Sequence, residues 1–246
     1  MTTSATVIRA ADRLHWTNEW LTSRQSFPAT GNYDLFGNAH GVLLVHNDDV
    51  VGPGEGLDAH QHQNTEILTW VVNGAVAHRD SQDHAGVLPA GTLGYMSAGR
   101  GITHSEGNAD RSYSGAPLRV IQMWVAPDTD GLDPTHAEKS FTDALASGEP
   151  VVAASGRREH RGHGALPISN RFAALHLARP RSGQRVSFPG APFGHLFVVD
   201  GQISVDSVGV LAAGDALRTV DHSALAVTAA ADAELIFWEM HASFEV

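Results

Sequence analysis

Turn-forming residues interrupt this 246-residue chain about every ten positions, and that rhythm is the tightest constraint on its fold. The segment EILTWVV at 66–72 is β-branched and aromatic, and it stops at Asn73-Gly74. Asn-Gly is the strongest two-residue hairpin signal, so 75–79 is expected to return as a partner strand. Further strands are expected at 42–45, 93–96 and 118–125 (LRVIQMWV), separated by turns such as Pro89-Ala90-Gly91. The polar stretch 129–148 reads as a connector with a short helical piece in 140–146, and 154–168 reads as Gly/Arg/His-rich loop. The strand rhythm returns at 171–177, 194–199, 203–205, 208–211 and 235–238, with Asp200-Gly201 as a second hairpin signal. Short strands at this spacing predict an all-β sandwich or barrel.

The two halves also rhyme. EILTWVVNGAV at 66–76 is similar to GHLFVVDGQI at 194–203, and VLPAGTL at 87–93 is similar to VLAAGDAL at 210–217. Strand, Gly turn, returning strand and Ala-Gly turn occur in the same order, as in a duplicated barrel whose second copy has diverged. The expected division is 1–130 for a first barrel and 131–246 for a linker and second barrel.

Composition removes several functions. The chain has 16 Lys and Arg against 27 Asp and Glu, a formal charge of −11 with histidine neutral. Binding to nucleic acid or to an anionic membrane surface wants a positive face, so neither is expected. There is no cysteine, which excludes disulfides, thiol catalysis and thiolate metal sites. The start, Met1 to Thr6, has no charged stretch followed by an apolar run, and a cytoplasmic, monomeric protein is expected.

Fifteen histidines stand out against that background. His60-Gln61-His62 and His104-Ser105-Glu106 are spaced so that, on strands, each pair aims both side chains to one face. Two such strands facing one cavity would offer three imidazoles and a carboxylate to a divalent transition metal: Fe, Mn, Co, Ni, Cu or Zn. Glu66 could be a fifth ligand, a carboxylate behind the ligands or a plain strand residue, and reads best as one of the latter two. His78 and Asp80 read as a salt-bridged turn, and His160-x-x-His163 as part of a loop. The arginines at 157–161 are either an anion patch or a solvated loop. Trp70, Met96, Met123 and Trp124 read as barrel core or pocket lining.

These motifs, in this order, resemble the pirin family of the cupin superfamily. They are His60-x-His62, Glu66-Ile67-Leu68-Thr69, Gly74, His78-Arg79-Asp80-Ser81, Pro89-x-Gly91, Met96-Ser97-Ala98-Gly99 and Gly101-Ile102-x-His104-Ser105-Glu106. Asn47-Asp48-Asp49-Val50 adds to the likeness, which covers about residues 10–130 closely. The resemblance implies an all-β bicupin: two facing antiparallel jelly-roll barrels with short helical connections. It implies metal ligands at His60, His62, His104 and Glu106, with iron the favoured ion. No metal is expected in the second barrel, where His195 stands alone.

The activity implied is that of a quercetin 2,3-dioxygenase, which opens a flavonol ring with O₂ and releases carbon monoxide. Its substrate would be a small aromatic compound. Glu106 would act as general base, with its pKa raised by a dry barrel interior. The alternatives are a regulatory or redox-sensing module that meets a protein partner, and a different enzyme acting on a small polar metabolite.

Overall fold

The computed structural model describes residues 4–27, 34–112, 114–206 and 208–244. Each half of the chain builds one seven-stranded and one four-stranded antiparallel-dominated sheet. In the first half, the large sheet runs Thr135–Ser140, Thr92–Ser97, Glu66–Asn73, Leu118–Val125, Leu43–Val51, Leu21–Gln25, Leu14–Thr17. Its small sheet runs Gly56–His62, Ile102–Asn108, Ala75–Asp80, Ala85–Pro89.

The second half repeats the pattern. Its large sheet runs Ser4–Ile8, Ala216–His222, Ala191–Asp200, Glu234–Met240, Ala173–Ala178, Val151–Ser155, Leu166–Pro167. Its small sheet runs Arg185–Phe188, Leu225–Ala229, Gln202–Val205, Gly209–Ala212. The duplication seen in the sequence is therefore a duplication of topology. The sheets form open jelly rolls; they do not close into continuously hydrogen-bonded barrels. Among the described residues the helical connections are three short 3-10 turns, at Ala10–Asp12, Ala144–Ser147 and Arg158–His160.

Two edge strands are exchanged. Ser4–Ile8 pairs with Ala216–His222 of the second large sheet. Thr135–Ser140, from the stretch expected to be a connector, pairs with Thr92–Ser97 of the first. An edge strand wets one face and can be polar, so THAEKS carries little apolar alternation to read in advance. Both hairpin signals hold, with Gly74 at φ +79° and Gly201 at φ +82°.

The largest core lies between the two seven-stranded sheets. Leu68, Trp70, Ile121 and Met123 from the first meet Leu175, Phe197, Ile236 and Trp238 from the second. Polar ties cross the same seam. Trp70 Nε1 donates to Glu234 Oε1 at 2.5 Å, and Trp238 Nε1 lies 3.2 Å from Met123 Sδ. Arg119 forks onto Asp48 at 2.9 and 3.0 Å and reaches Asp200 at 3.1 Å. A second core of Val186, Phe188, Leu196, Val227 and Phe237 fills the second jelly roll. The first jelly roll is filled less completely by apolar groups, and its interior holds the histidines.

Candidate metal centre

Strand register assembles the site. Gly56–His62 and Ile102–Asn108 pair with His60 opposite His104 and His62 opposite Ile102. The register then shifts, so that Leu57 lies opposite Glu106. Asp58 and Ala59 together face Ser105, a β-bulge that re-aims the ligand-bearing end of the strand. The two backbones approach closely here: a Cβ on Gly56 would lie 2.4 Å from the Glu106 carbonyl oxygen. On the other side of Ile102–Asn108, Asp80 lies opposite His104 and His78 opposite Glu106. Alternation then turns His60, His62, His104, Glu106, His78 and Asp80 toward one region.

Among the described residues, two sets of donor atoms could hold a metal ion, each within 4.8 Å of one another: His60, His62 and His104, and His78, His104 and Glu106. His104 belongs to both. Its ring lies 4.5 Å from that of His60, 5.1 Å from that of His62 and 5.6 Å from that of His78. His104 is buried, and neither of its ring nitrogens has a hydrogen-bond partner. An unpaired buried imidazole is costly unless something binds it, and a divalent metal suits this neutral donor set. The three expected imidazoles therefore come together. The expected carboxylate, Glu106, groups with His104 and with a histidine that sequence reasoning did not include.

The surroundings hold these donors in place. Gln122 Nε2 donates to Glu106 Oε2 at 2.7 Å, and Trp124 Nε1 donates to Gln122 Oε1 at 3.2 Å. Trp124 also packs edge-on to His62, with ring centroids 5.0 Å apart. His60 Nδ1 lies 2.7 Å from the Asp58 carbonyl oxygen, so that nitrogen carries the proton and Nε2 is left to ligate. His78 Nδ1 is 3.6 Å from Glu106, and its Nε2 is 3.4 Å from Asp80. Asp80 in turn takes His84 Nδ1 at 3.1 Å. The signal for His78 was present in the sequence: His78-x-Asp80 has the same two-residue spacing as the ligand pairs.

Electrostatics follow from that packing. Burial pushes the His104 and His62 pKa values down to about 4, with neighbouring imidazoles adding to the effect at both. Both rings are therefore neutral and ready to ligate at neutral pH. The expectation of a raised Glu106 pKa is not met. Burial alone would raise it, but the nearby His78 imidazole and favourable electrostatics with His104, His78 and His60 outweigh burial and hold it below the usual carboxylate range. For His78, burial acts to lower the pKa, and Glu106 and Asp80 together overcome it and raise it. Glu106 is thus held as an anion, better suited to ligation and charge compensation than to proton abstraction.

Glu66 is structural. It is fully buried and accepts three hydrogen bonds: from the Tyr95 hydroxyl and the Ser169 N–H at 2.6 Å each, and from the Asn170 N–H at 2.8 Å. It thus clamps the two halves together. Trp70 and Met123 are core at the seam. His160 Nδ1 meets the Ser155 hydroxyl at 2.9 Å.

Several spaces adjoin the centre. A cavity of about 50 Å³ beside Glu106 is lined by Asp49, Thr69, Gln122 and apolar side chains. An open cleft of about 820 Å³ is lined by Trp20, Leu57, His78 and Glu106, among others. The cleft falls in the size range of small-molecule sites.

A repeated pair of jelly-roll sandwiches with a histidine cluster in the first defines a bicupin of the cupin superfamily. The pirin family profile matches residues 7–125. The chain is 43% identical over 242 residues to a Mycobacterium tuberculosis protein with a provisional quercetin 2,3-dioxygenase name, covering 98% of this chain and 97% of that one. It is 30% identical over 233 residues to the quercetin 2,3-dioxygenase of Escherichia coli K12, covering 94% and 96%. The crystal structure of the E. coli pirin YhhW in complex with nickel(II) is similar at a TM-score of 0.86 and 27% identity, covering 97% of this chain and 100% of that one. The chain belongs to the pirin family.

Proposed function

We propose that this protein is a metal-dependent oxygenase of the quercetin 2,3-dioxygenase type. His60, His62 and His104 hold the metal, and Glu106 completes its ligand set. The observation that carries this reading is the convergence of three imidazoles on a point where neither ring nitrogen of buried His104 has a hydrogen-bond partner. The names of the relatives supply the substrate class, a flavonol-like aromatic.

When bound, a divalent transition metal would lower the pKa of a substrate hydroxyl and bring it together with O₂. The chain's own residues do the rest. His60, His62 and His104 would hold the ion, the latter two with pKa values lowered by burial. Gln122 and His78 fix the Glu106 carboxylate from opposite sides. The apolar walls at Trp20 and Leu57 offer a face for an aromatic ring in the open cleft. Glu106, held as an anion with a lowered pKa, would serve as a ligand to the ion rather than as a general base. The division 1–130 and 131–246, iron as native metal, a monomeric state and a cytoplasmic setting belong to this reading.

The test is aerobic loss of the visible absorbance of quercetin, on protein loaded in turn with Fe, Mn, Co, Ni, Cu and Zn. Loss that depends on metal and is abolished by His62→Ala is the expected result. No loss on protein of verified metal content would refute the flavonol reading. The weight then moves to a metal-binding regulatory module with a protein partner, which the 50 Å³ size of the cavity beside Glu106 favours, since a flavonol does not fit there.

A further inference from the structure

The seam between the two large sheets holds a second, unassigned polar cluster. His46, on Leu43–Val51, and His195, on Ala191–Asp200, face each other with ring centroids 4.7 Å apart. Both are completely buried, and none of their four ring nitrogens has a hydrogen-bond partner. Arg13 approaches from one side, with its guanidinium 4.6 Å from the centre of the Phe197 ring, which also packs against His46. Arg218, cross-strand partner of His195, approaches from the other, 4.2 Å from the centre of the Phe27 ring, which also packs against His195.

Each arginine makes backbone contacts. Arg13 Nη2 donates to the carbonyl oxygen of Arg24 at 2.6 Å, and Arg218 Nη2 donates to that of Ser26 at 2.6 Å. Arg13 Nε and Nη1 and Arg218 Nε remain buried without a partner, as does the Ser26 hydroxyl. Neither guanidinium is ion-paired with a carboxylate among the described residues. Of the acids nearest Arg13, Asp48 is taken by Arg119, while Asp49 has a hydrogen bond with Ser23 but keeps a buried Oδ1 without a partner.

The chemistry of the orphaned groups selects their ligand. Arginine can only donate, and each neutral imidazole carries one N–H, so the cluster is rich in donors. A buried and a part-buried guanidinium without an ion pair are costly, and water, being neutral, does not cancel their charge. A metal cation is repelled by the two guanidiniums. Complete burial restricts the ligand to a few atoms.

We propose that the seam between the two jelly rolls binds a small anion, of halide to formate size, held by Arg13 and Arg218 with His46 and His195 between them. The anion would act as an electrostatic bridge between the halves. This site is separate from the metal centre and does not depend on the reading of that centre.

The test is made on the whole protein at fixed ionic strength. Bromide and formate, in separate arms, replace a bulky sulfonate while thermal unfolding is followed. The expected result is a saturable rise in Tm of several degrees, absent in Arg218→Gln. The arm that saturates at the lower concentration identifies halide or carboxylate as the natural class. Crystals grown in bromide should show an anomalous peak within hydrogen-bond distance of Arg13 and Arg218. A seam that holds water only, with no saturable shift, overturns the proposal. A bromide peak without a saturable shift is an adventitious ion only, and overturns it too. If Arg218→Gln does not fold, the wild-type titration and the bromide map still decide the question.

Discussion

Replacing Glu66 tests whether this carboxylate belongs to the interface or to the metal. In the structure it is fully buried and serves three donors: the Tyr95 hydroxyl and the Ser169 and Asn170 N–H groups. Glu66→Leu leaves all three unpaired. An orphaned buried donor costs about 1–3 kcal/mol, a gross loss of roughly 3–9 kcal/mol. Part of that returns, because the buried carboxylate is itself unfavourable; burial raises its pKa despite the three hydrogen bonds. A net loss of about 3–5 kcal/mol is expected, a large share of the 5–15 kcal/mol of a typical domain. Glu66→Gln retains one carbonyl oxygen. Placed at Oε1 it keeps Tyr95 and Ser169 and loses Asn170, for about 1–2 kcal/mol. Guanidinium unfolding of the metal-free protein measures both losses, and metal content of the folded Gln variant is measured in parallel. A Leu variant that loses under about 1 kcal/mol refutes the clamp. A folded Gln variant that no longer binds metal makes Glu66 a ligand and refutes the assignment of His60, His62 and His104 as the core of the site.

The remaining predictions concern the centre. His104, buried with its pKa near 4, stays neutral in the folded apo-protein while the unfolded chain takes up a proton below about 6.5. Stability is therefore lost as pH falls, by about 2 kcal/mol from this residue between pH 7 and 5. Apo His104→Gln should show a correspondingly shallower pH dependence in denaturant titrations, and an identical slope would refute the neutral buried imidazole. Glu66 works in the opposite direction. Its raised pKa gives stability at low pH that is lost as pH rises from the ordinary carboxylate value through the raised native one, and Glu66→Gln removes this. Gln122→Leu frees one side of Glu106 and should weaken metal binding 10- to 100-fold, as the loss of a residue behind a ligand typically does. Calorimetric titration with Ni(II) checks it, and unchanged affinity would show that Gln122 does not position the carboxylate. Removing the metal with a chelator should lower stability by about 4 kcal/mol relative to protein at 1,000 times the dissociation constant. A Tm that ignores chelation would place the ion outside the folded-state balance.

Much of the fold was legible because its signals are local. Asn73-Gly74 and Asp200-Gly201 mark hairpins whatever surrounds them, and the two-residue spacing of His60, His62, His104 and Glu106 is read from strand alternation alone. What stayed hidden depends on distant partners. Thr135–Ser140 and Ser4–Ile8 are strands because of the edges they cover, not because of their own patterns. His78 joins the site because register sets it opposite Glu106, and register cannot be read from one strand. The Glu106 pKa failed for the same reason: a dry interior was anticipated, but not the imidazoles that fill it. The role of Glu66 needed Ser169 and Asn170, about a hundred residues further along the chain.

The exchange of edge strands also sets an order of events during synthesis. Ser4–Ile8 is made more than two hundred residues ahead of its partner Ala216–His222. At 5–20 residues per second the early segment waits roughly 10–40 s for its place in a sheet. The first half likewise cannot finish its own large sheet until Thr135–Ser140 has emerged. The nascent chain therefore carries an unsatisfied β-segment while those two hundred residues are made, a natural point of contact for a holding chaperone.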